Sequence, residues 1–67
     1  MLMTLKAARI NARLSQKKAA ELIGISVDTL SNYERGKRFP DVPIIKNIES
    51  VYNVEYKDLI FLNSDYA

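Results

Sequence analysis

Gln16-Lys17-Lys18-Ala19-Ala20-Glu21-Leu22-Ile23-Gly24-Ile25-Ser26-Val27-Asp28-Thr29-Leu30-Ser31-Asn32-Tyr33-Glu34-Arg35 holds two helical patterns separated by one short break. In the first, about Gln16 to Ile23, Ala19, Ala20 and Ile23 fall on one face, and Gly24 supplies the left-handed backbone of a tight helix end. Ser26 caps the second, about Val27 to Arg35, which turns Leu30 and Tyr33 inward and stops at Gly36. Two helices that cross steeply need a small side chain where they come closest, and Ala20 provides it. The opposite face of the second helix carries Asp28, Ser31, Asn32 and Arg35, flanked by Val27 and Thr29. These are short polar groups without a large apolar patch, left for solvent or a polar partner.

The flanking sequence supplies the elements that this pair needs to bury its inner face. Before it, a first helix is expected from about Thr4 to Arg13, with Leu5, Ala8 and Ala12 on one side, Leu14 closing it and Ser15 capping the next. After it, Gly36-Lys37-Arg38-Phe39-Pro40 reads as a basic loop, because Pro40 disfavours helical geometry at Phe39. Asp41 then caps a fourth helix. Pro43 falls in its first turn, Val42, Ile45, Ile48 and Tyr52 form the expected buried stripe, and Asn53 ends it in the left-handed conformation. A short fifth helix, about Glu55 to Leu62, is expected to pack Val54, Leu59 and Ile60 on the core. The fold class is therefore all-α, a compact five-helix domain over residues 1–67, with no competing strand alternation, internal repeat or low-complexity segment.

Sixty-seven residues without Cys or His leave packed helices as the means of holding such a fold together. The same composition argues against catalysis. The serines have no visible base partner, two isolated glycines make no phosphate-cradling loop, and neither a cofactor, a metal nor a small-molecule ligand is implied. The start, Met1-Leu2-Met3-Thr4-Leu5-Lys6, lacks the apolar run of a signal peptide, so a cytoplasmic protein without membrane association is expected. Charge is polarised along the chain. Residues 1–38 carry eight cations against three acids, a balance of +5, whereas residues 39–67 carry two against five, a balance of −3. One end suits a polyanion and the other would be repelled by it.

Taken together, Leu14-Ser15-Gln16, Ala19-Ala20, Gly24-Ile25-Ser26, Leu30-Ser31-Asn32-Tyr33-Glu34-Arg35-Gly36-Lys37, Pro40, Tyr52-Asn53-Val54 and Asp58-Leu59-Ile60 resemble the Cro/C1-type (XRE-like) helix-turn-helix family. Phages, plasmids and bacteria use that family widely. The resemblance implies a lambda-repressor-like globule with its helix-turn-helix at about 16–35, whose third helix enters the major groove of double-stranded DNA. It also implies a transcriptional regulator, usually a repressor, bound as a homodimer to a palindromic operator. Arg9 and Glu34 match positions that form an ion pair in some members, which would also hold Arg9 near the DNA backbone. Gln16 matches a position that meets a phosphate at a helix N-terminus.

On that basis Gln16, Lys17, Arg35, Lys37, Arg38 and Arg9 are expected at phosphates, and Val27, Asp28, Thr29, Ser31 and Asn32 at bases. Asn32 is the best reader, since its amide can donate to N7 and accept from N6 of adenine together. Val27 suits a thymine methyl, whereas Thr29 and Ser31 discriminate poorly. Asp28 either accepts from cytosine N4, excluding other bases, or only favours the helix N-terminus electrostatically. Phe61, Leu62 and Tyr66 either form a self-complementary dimer patch or cover the end of the core. The rival functions are the DNA-binding antitoxin of a toxin–antitoxin pair and a helical protein-interaction module. The polar third helix and the charge asymmetry disfavour the second of these.

Overall fold

The computed structural model describes residues 2–62. Its elements are β1 (Met3–Thr4), α1 (Leu5–Asn11), α2 (Gln16–Ile23), α3 (Val27–Glu34), α4 (Val42–Tyr52), a 3-10 turn (Tyr56–Asp58) and β2 (Leu59–Ile60). Each α-helix starts at a side chain that accepts from an amide three residues on: Thr4 from Ala7, Ser15 from Lys18, Ser26 from Thr29 and Asp41 from Ile44, at 3.0–3.1 Å. These bonds satisfy one of the orphan donors that any helix N-terminus exposes. At the other end of α2, Gly24 adopts φ 93 and its amide returns to the Ala20 carbonyl at 2.9 Å. Asn53 ends α4 in the same left-handed region, at φ 54.

The core joins Leu5 and Ala8 of α1, Ala19, Ala20 and Ile23 of α2, Leu30 and Tyr33 of α3, Ile48 and Tyr52 of α4, and Leu59 of β2. Leu30 and Ile48 are fully enclosed. Ala19 and Ala20 leave almost no surface exposed, so α2 approaches its neighbours closely on the side that bears them. No helix among the described residues is long and apolar enough to cross a membrane.

Four α-helices are present among the described residues, not five. The expected helix at Glu55–Leu62 is replaced by the 3-10 turn and β2, which runs parallel to β1 with Met3 opposite Leu59 and Thr4 opposite Ile60. Within the turn, Asp58 N donates to the Glu55 carbonyl at 2.9 Å and Glu55 N to Asp58 Oδ2 at 3.3 Å. Beyond it, Leu59-Ile60-Phe61-Leu62 is an unbroken apolar run that has no helical face to bury. The unpaired backbone of Met3–Thr4 offers it ladder hydrogen bonds instead, and strand alternation then puts Leu59 inside and leaves Ile60 41% exposed.

Two smaller expectations are also corrected. The first helix begins after Thr4, which is its cap, and ends at Asn11, because Arg13 is left-handed at φ 62. In α4 the buried stripe is Ile44, Ile48, Val51 and Tyr52, with the i, i+4, i+7, i+8 spacing of a helix face. Val42 is 64% exposed, since it opens the helix, and the side chains that reach the core are a register away from it.

Candidate nucleic-acid interface

The turn Gly24-Ile25-Ser26 joins α2 to α3 and fixes which side of α3 faces out. Leu30 and Tyr33 anchor its inner side. Val27 and Asp28 are exposed on the first turn of α3, and Ser31 and Asn32 are partly exposed further along. Arg35 caps the helix and is exposed. Three residues of the expected set, Asn32, Arg35 and Thr29, already make side-chain hydrogen bonds. Asn32 Oδ1 accepts from Arg35 Nη2 at 3.2 Å, and the Thr29 hydroxyl accepts from the Ser26 hydroxyl at 2.8 Å, which ties Thr29 to the cap.

The basic loop after α3 is held by the helix end itself. Gly36 takes φ 74, and the amides of Lys37 and Arg38 both donate to the Asn32 carbonyl, at 2.9 and 3.4 Å. Their side chains therefore start beside the outer face of α3, exposed. Lys17 is also exposed, on the first turn of α2. The amides of Gln16 and Lys17 open α2 and have no intrahelical acceptor, so they and the positive end of the helix dipole favour an anion there.

Beneath this surface lies a buried ionic network. Arg9 Nε donates to Glu34 Oε2 at 2.7 Å and Nη2 to Oε1 at 3.3 Å, while Nη1 donates to the Leu14 carbonyl at 3.0 Å. Glu34 Oε1 also accepts from Gln16 Nε2 at 3.1 Å. One carboxylate thus ties the middle of α1, the start of α2 and the end of α3 together. The side chains of Arg9 and Glu34 are only 10% and 4% exposed. The hydrogen bond to Glu34 raises the Arg9 pKa above its ordinary value, and burial opposes it. Much of the Arg9 guanidinium is engaged within the protein, and its side chain also lines the cleft above.

Above the network opens a cleft floored by Arg9 and Glu34 themselves and lined by Lys6, Gln16, Ser31, Arg35, Lys37 and, at the end of the described chain, Leu62. It brings together Arg9, Gln16, Ser31, Arg35 and Lys37 from the expected set and leaves Lys17, Arg38 and the base-reading candidates Val27, Asp28, Thr29 and Asn32 outside. Lys6 was missed in the sequence. Its signal was its spacing, since Lys6 and Arg9 lie three apart and so share a side of α1.

A short linker between two crossed helices, the outer one polar and bordered by cations, defines a helix-turn-helix protein. The helix-turn-helix family model matches residues 5–59, and the chain belongs to that family, in its Cro/C1-type branch. It is similar to the HTH-type transcriptional regulator ImmR of Bacillus subtilis (strain 168), with 46% identity over 50 residues. That alignment covers 75% of this chain and 39% of the relative, so the chain spans well under half of the curated relative's length.

Proposed function

We propose that this chain is a sequence-specific DNA-binding transcriptional regulator that sets α3 in the major groove and represses from a palindromic operator. The observation that supports this most is the continuity between the polar outer face of α3 and the cationic cleft beside it. In this reading Asn32, Val27, Asp28 and Ser31 meet base edges, with Thr29 contributing least because its hydroxyl serves the cap. Gln16, Arg35, Lys37 and Arg38 meet phosphates, and Lys17 reaches the backbone from the same end of α2. Arg9 acts through Glu34 and Gln16, fixing the angle between α1, α2 and α3. The relative's designation as a transcriptional regulator agrees with this assignment.

The operator-bound form is a homodimer. Phe39, Val42, Tyr56 and Ile60 are exposed apolar side chains, and the Phe61 ring lies against those of Phe39 and Tyr56, with centroids 6.4 and 5.7 Å apart. Lys46 and Glu49 border this patch, and opposite charges on one helix give the self-complementarity that a two-fold contact needs. Of the three residues that suit either a dimer contact or a cover for the end of the core, Phe61 belongs to this patch, Leu62 lines the basic cleft, and Tyr66 lies outside the described residues.

Selection of bound sites from a random duplex pool tests the function. Enrichment of one half-site in inverted repeat is expected, whereas a chain that retards no duplex at low ionic strength refutes it.

A further inference from the structure

The cleft above the Arg9–Glu34 pair draws its exposed cations from two parts of the fold. Arg35 and Lys37 come to it from the end of α3 and the loop after it, and Lys6 comes from α1. We infer that Lys6 is a phosphate-binding residue, and that the cleft seats the sugar–phosphate backbone of DNA between Lys6 and the Arg35–Lys37 pair. This inference rests on the DNA-binding reading above and assigns to it a contact from a helix outside the helix-turn-helix.

Three observations support it. Lys6 is exposed and forms no ion pair among the described residues, whereas Lys18 and Lys57 do, so its charge is uncommitted. Among the described residues the one carboxylate that lines the cleft, Glu34, is already paired with Arg9, so within them the charges of Lys6, Arg35 and Lys37 are not offset. The cleft holds about 790 Å³, far more than one small anion fills, which leaves room for a segment of a polyanion.

The strand pair explains why Lys6 stands there. Thr4 both pairs with Ile60 across the parallel ladder and caps α1, so the first turn of α1 is fixed at two points and Lys6 follows immediately. The same pairing carries the chain from β2 to Leu62 at the edge of the cleft. The β1–β2 contact thus serves the interface as well as closing the core.

A phosphate contact positions the protein but carries no base information, so loss of Lys6 should weaken every duplex alike. The test is fluorescence anisotropy of the full chain against a labelled mixed-sequence duplex over a salt series, comparing wild type, Lys6→Gln and Lys57→Gln. Lys57 is an exposed lysine outside the cleft and gives the same change in net charge. Lys6→Gln is expected to reduce the slope of log affinity against log salt by about 0.9 while Lys57→Gln leaves it unchanged. Equal effects of the two substitutions, or no effect of Lys6→Gln in a wild-type chain that binds, overturn the inference and leave the DNA-binding reading standing. A wild-type chain that binds no duplex removes both. Unchanged thermal melting of Lys6→Gln establishes that the loss is one of contact and not of fold.

Discussion

Arg9 and Glu34, 25 residues apart in the chain, meet in a buried pair 2.7 Å long that fastens α1 to the end of α3. Their burial makes the pair costly to break and much less costly to replace whole. Removing one partner strands a charge, at about 3–5 kcal/mol, whereas exchanging both for apolar groups is often neutral. Arg9→Met and Glu34→Leu should each lower stability by that order, and the double variant should recover most of it. Denaturant titration of all four chains measures the coupling, and additive losses would show that the two residues do not depend on one another.

Tyr52 presents the opposite case, a buried polar group without a partner. Its hydroxyl makes no hydrogen bond among the described residues. Burial, reinforced by the charge of Glu34 and opposed by Arg9, pushes its pKa from 10.0 up to about 12. An unsatisfied buried hydroxyl is destabilising, so Tyr52→Phe should gain about 1 kcal/mol at neutral pH. The sign at alkaline pH follows from the raised folded value: the neutral phenol's contribution is whole below about pH 10 and is lost as pH rises towards 12. Wild type should therefore lose up to about 3 kcal/mol more than Tyr52→Phe across that window. Parallel alkaline melting curves for the two chains would rule this out.

At Gly24, space is not the constraint. A Cβ built there meets no atom within 4 Å, but φ is +93. Gly24→Ala should accordingly destabilise by about 1–2 kcal/mol through the backbone alone, and Gly24→Asn by less, since Asn tolerates the left-handed region better. If Ala proves neutral in thermal melting, the helix end has relaxed to another geometry.

On α3, Asn32→Ala should cost about 1–3 kcal/mol of binding to a selected operator and relax preference at one base pair. Lys37→Ala should instead weaken all duplexes and reduce the salt slope by about 0.9. Repeating the site selection with each variant separates reader from anchor. An Asn32→Ala chain that selects the wild-type site would remove Asn32 from the reading face.

Dimerisation on DNA should depend on the apolar patch. Tyr56→Lys places a charge beside Phe61 and should give a monomer in sedimentation with operator present, weakening operator affinity by at least tenfold. A Tyr56→Lys chain that still sediments as a dimer would place the two-fold contact elsewhere.

What the amino-acid sequence determined by itself was whatever depends on neighbours within a few residues. Ser15, Ser26 and Asp41 cap amides three positions on, Gly24 and Asn53 end helices through their own backbone freedom, and Leu30 and Tyr33 share a face by spacing, so α2, α3 and the polar side of α3 were legible. The Arg9–Glu34 pairing was expected only through family resemblance, because no local pattern joins residues 25 apart. The parallel strand pair was not legible at all, since two-residue strands carry too little alternation to register and their hydrogen bonds exist only once Met3–Thr4 and Leu59–Ile60 meet. That closure decided the place of Lys6, the cleft beside it and the exposure of Ile60, because each depends on which distant backbone is brought alongside and not on which residue comes next.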